Sequence, residues 1–268
     1  MSISTADATR RLESEPRPAI EVDHLSISYR VRVGRGNVVR DIARTLTGRH
    51  KPDRVVPAVR DLTFEVPKGE TLAIVGRNGA GKSTLLRALS GALAPEKGRI
   101  IVRGQVSLLA IGVGMNQKLT GRENIVLGGL AVGLTRDHLD ELIGDIAAFA
   151  QLGEYLDFPM STYSTGMKSR LAFSVAIHLD PDILLIDEAL GGGDAGFKQH
   201  AQEKMAELMG EGRTIILVTH GLSSVRSMAT SAMWMHQGSM AAAGDPDDVV
   251  AQYMRWCRLE DLELQDQD

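Results

Sequence analysis

Apolar side chains alternate with polar ones from Ile20 to Val31 in "AIEVDHLSISYRV", the period of a half-buried strand, and "AVRDLTFEVPKGE" repeats the pattern before ending in a turn. Between them lies a mixed basic stretch, "GRGNVVRDIARTLTGRHKPDR", which reads as an insert at about 34–52 separating two neighbouring strands. Inside it Val38, Ile42 and Leu46 share one side of a predicted helix that Gly48 would stop. From residue 71 the rhythm changes. "TLAIVG", "KSTLLRALSGAL", "GRIIVRGQVSLL", a glycine-rich loop and "GRENIVLGGLAVGL" follow one another as strand, helix, strand and helix. Helices are expected at 136–153, about 165–179 and 195–210, with the strands "DILLID" and "RTIILVTH" and the segment "SSVRSMAT" among them. Continuously apolar strands between helices imply a parallel sheet covered on both faces, hence the α/β class. Residues 1–19 are polar and proline-bearing and read as a disordered lead-in; 256–268, ending "RLEDLELQDQD", read as an acidic, solvated tail. No internal repeat is visible.

Composition narrows the field. With 268 residues, 43% of them hydrophobic, the chain can bury a core of single-domain size. A net charge of -4 provides no basic field, so nucleic acid is not an expected partner. The single cysteine, Cys257, excludes an intrachain disulfide framework, fits a reducing compartment and reads as a packing residue. The N-terminus has no apolar signal region, and no apolar run reaches the roughly 18 residues needed to span a bilayer, so neither secretion nor membrane insertion is expected.

"GRNGAGKST" brings in the chemistry. Gly76, Gly81, Lys82 and Ser83 satisfy G-x-x-x-x-G-K-S/T between a strand and a helix, the context in which backbone N–H groups close around phosphate oxygens. The expected nucleotide contacts are Gly76, Arg77, Asn78, Gly79, Ala80, Gly81, Lys82, Ser83 and Thr84, with Lys82 on the β- and γ-phosphates and Ser83 on Mg²⁺. A nucleoside triphosphate site needs a carboxylate near the metal, and "DILLIDE" ends an apolar strand in Asp187 and Glu188. Asp187 is placed on the metal shell and Glu188 on the attacking water. His220, closing "TIILVTH", can donate to the γ-phosphate or hold that water, whereas His178 lies on a helix without such context and reads as packing.

"YSTGMKSRLAFSVAIHLDPDILLIDEAL" resembles the signature segment of ATP-binding-cassette (ABC) ATPases, with Ser164 and Gly166 in the turn and without the common Gly-Gly-Gln ending. The resemblance covers about 20–255 and implies a P-loop fold with a parallel core sheet, an antiparallel β subdomain and a helical subdomain at about 115–180. It implies that Ser164 and Gly166 bind the γ-phosphate on an opposite subunit, so that two copies close head to tail around ATP. It also places Tyr29 on adenine and Asp194 in the loop coupling the two sites, where Asp194 can also cap the following helix. The usual glutamine reaching Mg²⁺ would fall near Ala110 or Ile111, where there is none; Gln117 comes too late to be its replacement.

The insert, "YSTGM" and "AIGVGMNQKLTGRENI" together are similar to the ATPases of polysaccharide exporters handling O-antigen, teichoic acid, capsule or galactan. That likeness implies a peripheral ATPase on the cytoplasmic face of a bacterial inner membrane. Its partners would be two separate transmembrane permease subunits, and its transported substrate a lipid-linked glycan. Some members carry a C-terminal carbohydrate-binding β-sandwich, which is not expected within these 268 residues. The competing readings are another transporter ATPase, importer or drug or lipid exporter, a soluble non-transport cassette ATPase, and a small-molecule kinase, which would leave "YSTGM" without a purpose.

Overall fold

The computed structural model describes residues 17–31, 54–109, 115–187 and 195–265. Two sheets carry the fold. Strands β1 (Ile20–Val31), β2 (Arg54–Val66) and β4 (Lys97–Val102) form an antiparallel sheet ordered β2-β1-β4. A six-stranded sheet is ordered β5-β6-β7-β3-β8-β9, from β3 (Thr71–Val75), β5 (Val106–Leu109), β6 (Ile183–Asp187), β7 (Thr214–Val218), β8 (Ser231–His236) and β9 (Ser239–Gly244). Strands β5 to β8 pair in parallel, and β9 turns back antiparallel along β8. Every residue of β3 and β7 is buried, which is why "TLAIV" and "TIILV" are apolar without alternation after the opening threonine of each.

The helices are α1 (Lys82–Leu89), α2 (Gly121–Ala131), α3 (Arg136–Ala150), α4 (Thr165–His178), α5 (Ala195–Gly210), α6 (Leu222–Met228) and α7 (Pro246–Gln265). One core joins the antiparallel sheet to a face of the large sheet through Leu85, Leu86 and Leu89 of α1. A second packs Phe173 of α4 and Phe197 of α5 on the opposite face. A third, built from Ile125, Leu139, Ile143, Ile146 and Leu171, binds α2, α3 and α4 into a helical unit of their own. None of the helices among the described residues is long and apolar enough to cross a membrane.

Three segments depart from the sequence reading. "GRIIVRGQVSLL" is two strands in different sheets: after β4 the Gln105 N–H is captured by the Asp182 carboxylate at 2.8 Å and its carbonyl by Ile183 N–H at 3.0 Å, drawing β5 alongside β6. "SAMWMHQGSMAAAG" is the β8–β9 hairpin, turning at Gln237 and Gly238, both at positive φ. The segment read as a solvated tail continues a helix, since α7 runs unbroken from Pro246 to Gln265. The predicted insert helix lies outside the described residues.

Candidate functional site

β3 delivers the chain to its C-terminal edge at Val75, where residues 76–81 loop over before α1 begins at Lys82. The loop is gripped by backbone on two sides. A Cβ on Gly76 would fall on the carbonyl oxygen of Met235, and one on Gly81 on that of Ala58; their φ values of +147° and +103° also favour glycine. The Ala80 carbonyl accepts the Gly238 N–H at 3.0 Å. Gly81 caps α1 without a side-chain hydrogen bond, leaving the first-turn N–H groups with the positive end of the helix for an anion. Lys82 is buried, and its ammonium donates to the carbonyls of Gly76 (2.6 Å) and Arg77 (3.1 Å), which offset the loss of water around the charge.

A cavity of about 300 Å³ opens over this loop. Asn78, Gly79, Ala80, Gly81, Lys82, Ser83 and Thr84 form one wall, Tyr29 and Val56–Ala58 a second, and Asp187 and His220 close it. The topology explains the convergence. β7 lies between β6 and β3, Asp187 pairs with Val218 at the shared edge, and His220 follows two residues after Val218. The Tyr29 and Thr84 hydroxyls are 3.3 Å apart, which ties the exposed ring to the start of α1 at the cavity mouth. Glu188 and Asp194 lie outside the described residues, as do Ala110 and Ile111.

Other expected site residues fall elsewhere. Ser164 caps α4, its hydroxyl accepting the Met167 N–H at 3.2 Å, and neither Ser164 nor Gly166 lines the cavity. Nor do Gly76 and Arg77. The Arg77 guanidinium turns outward to pair with Glu260 and sits 5.9 Å from the centre of the Trp256 ring, both on α7. Gln117 uses its carbonyl to accept Ser161 N–H at 2.8 Å and is not on the cavity wall. Beside it the buried Asn124 side chain accepts the Asn116 N–H (2.7 Å) and donates to the carbonyls of Asn116 and Thr120, holding the turn before α2. Thr120 and Glu123 complete a capping box there.

The supports missed by sequence reasoning are thus Ala58, Met235, Gly238, Trp256 and Glu260. The hairpin had a readable signal in the Gln-Gly pair between alternating apolar residues. On α7, Trp256 packs against Trp234 (5.4 Å) and His236 (4.7 Å) of β8. Burial pushes the neighbouring Tyr253 phenol up to about 12, and its hydrogen bond with Cys257 works in the same direction, giving the lone thiol a local partner.

Residues 59–191 match the family model described as ABC transporter. The chain is 41% identical over 234 residues to the teichoic acids export ATP-binding protein TagH of Bacillus anthracis, covering 87% of this chain and 42% of that protein. It is 40% identical over 245 residues to the O-antigen export system ATP-binding protein RfbB of Myxococcus xanthus, covering 89% and 56%. The chain therefore spans about half the length of these curated relatives. A solved structure described as the ATP binding subunit of an ABC transporter superposes with a TM-score of 0.68 at 27% identity, covering 88% of this chain and 93% of that one. A dimeric post-hydrolysis cassette, MJ0796 bound to ADP and Pi, shares the fold at 17% identity and the same TM-score, covering 85% and 98%. The loop, the sheet order and these likenesses agree: the chain belongs to the ABC transporter ATPase family.

Proposed function

We propose that this chain binds and hydrolyses ATP as the motor subunit of a transporter that exports a lipid-linked envelope polysaccharide. The observation that carries the ATP reading is the single cavity in which Lys82, Ser83, Thr84, Asp187, His220 and Tyr29 meet. The loop N–H groups and the α1 N-terminus cradle the phosphates, Lys82 leaves its loop carbonyls for the β- and γ-phosphates, and the Tyr29 ring takes the adenine. The Ser83 hydroxyl and Asp187 carboxylate are hard oxygen donors lining the same cavity, a set suited to Mg²⁺. When bound, Mg²⁺ neutralises charge on the phosphate oxygens. Glu188 orients and deprotonates the attacking water, and His220 donates to the γ-phosphate as charge develops there.

The position of Ser164 and Gly166 away from this cavity supports a second copy. Their helix N-terminus would complete the site of the opposing chain, with Asp194 linking the two sites, so that bound ATP joins a head-to-tail dimer. Export rests on the likeness to the teichoic acid and O-antigen proteins. A pair of separate permease subunits would dock at the helical unit, where the Tyr155 and Phe158 rings are exposed 5.9 Å apart. In this reading the chain works at the cytoplasmic face of a bacterial inner membrane.

The deciding experiment is depletion of the protein in its native cell with mass-spectrometric accounting of lipid-linked glycans inside and at the surface. Accumulation of a finished polymer inside with loss outside is the expected result. Unchanged pools would overturn the export reading, and absence of Mg²⁺-dependent ATPase activity in the purified chain would overturn the motor itself.

A further inference from the structure

Arg77 is a loop residue whose side chain leaves the cavity while its backbone stays in contact with Lys82. Its carbonyl accepts the Lys82 ammonium at 3.1 Å, and its guanidinium reaches Glu260 and Trp256. Trp256 and Glu260 are four residues apart on α7 and therefore share one face of the helix. The start of that helix is fixed independently: Val249 and Val250 are buried in the cluster containing Ala73 and Val75 of β3, and Asp247 pairs with Arg226 at 3.0 Å. The later turns of α7 thus present an anion and an aromatic face to a cation on the nucleotide loop.

A half-exposed ion pair in isolation contributes little to stability. This one has a particular lever. Arg77 sits directly after Gly76 and two positions before Gly79, both at positive φ, so the loop has few side chains that can fix its peptide planes. We propose that Arg77 is a positioning residue through which α7, by way of Glu260 and Trp256, sets the conformation of the loop and the presentation of Lys82 to ATP. The contact route runs from helix to guanidinium, from guanidinium to peptide carbonyl, and from carbonyl to the lysine that meets the phosphates. The proposal rests on the ATP reading above and adds the C-terminal helix to that site.

The test uses the full 268-residue chain and a fluorescent ATP analogue with Mg²⁺, alongside KM and kcat for ATP. Arg77→Ala and Glu260→Gln are each expected to raise Kd and KM about two- to fivefold at unchanged kcat and Tm, the range an ion pair of this exposure allows. The double variant should be no weaker than Arg77→Ala, and the exchanged pair Arg77→Glu with Glu260→Arg should recover affinity. Trp256 emission should respond to the nucleotide in the wild type and not in Arg77→Ala, with Trp256→Phe identifying the signal. Wild-type Kd in both single variants, an Arg77→Ala loss not shared by Glu260→Gln, or losses that only track a fall in Tm would overturn the proposal. Lys82→Ala separates the two levels: a wild type that binds no better than this control would sink the ATP reading, whereas normal binding by Glu260→Gln sinks only the role of α7.

Discussion

Gly238 donates its N–H to the carbonyl of Ala80 at 3.0 Å while its own carbonyl accepts the Arg60 N–H at 2.8 Å. One residue of the β8–β9 turn is thereby tied both to the nucleotide loop and to β2, the strand that supplies Val56 to Ala58 to the cavity wall. The adenine side and the phosphate side of the site share a support that makes no contact with nucleotide in the proposed pose.

That support gives a sharp expectation. Gly238 has φ +86°, and an added Cβ would lie 2.9 Å from the Ala58 carbonyl oxygen. Gly238→Val should cost roughly 1–3 kcal/mol through backbone strain. It should lower Tm in calorimetry and weaken ATP analogue binding together. Retained affinity at lowered Tm would mean that the hairpin supports the fold but not the loop.

Ser164 offers a way to separate a cap from a ligand. Aspartate caps a helix as well as serine does, whereas alanine costs about 1 kcal/mol. Ser164→Asp should therefore keep the wild-type Tm and lose ATPase activity, because a carboxylate would face the γ-phosphate of the opposing chain. Full activity in that variant would reduce Ser164 to a structural cap.

Glu188→Gln should bind ATP normally and lose hydrolysis by about 10²- to 10⁴-fold, the span of a general base. With the nucleotide trapped, size-exclusion chromatography should show a dimer. Wild-type turnover would remove Glu188 from the proposed chemistry.

His24 and Asp61 bridge β1 and β2 at a bulge where both backbones have positive φ, with Nδ1 2.7 Å from the carboxylate. The hydrogen bond that His24 donates to the Asp61 carboxylate, and then that carboxylate's charge, hold the His24 pKa above its ordinary 6.5. A raised folded value means that the stabilisation is fully present below pH 6.5 and is lost as pH rises through the folded pKa. NMR titration should find this imidazole titrating late, and Asp61→Asn should return it toward 6.5. A late titration that survives the substitution would assign the shift to another group.

The nucleotide loop and its strand were legible because their chemistry is local: six glycine-to-glycine positions, a lysine and a hydroxyl in sequence order, preceded by a run apolar at every position. The placement of Asp187 and His220 at the cavity was legible for a related reason, since Asp187 ends one buried strand, His220 lies two residues past the end of another, and parallel strands bring such ends together. Arg77 was harder to place. Its residue number puts it in the loop, but its direction is decided by Glu260, which arrives on a helix whose acidic composition looked like a solvated end. The division of β4 from β5 was hidden because both halves are apolar and the separating contact, Asp182 to Gln105, joins residues far apart in sequence. Ser164 and Gly166 were recognisable only by resemblance, because a hydroxyl before a helix is equally an ordinary cap.

The sheet order also sets a timetable for synthesis. β3 is the strand that carries the loop, yet its hydrogen-bonding neighbours are β7 and β8, and the contact from Thr71 N–H to Thr230 spans 159 positions. At ribosomal speeds of about 5–20 residues per second, β3 waits on the order of ten to thirty seconds for its neighbours to emerge. During that interval an apolar strand lies unpaired and open to holding chaperones. On the proposed reading, the ability to capture ATP therefore matures late on the ribosome and marks a chain that has closed its sheet.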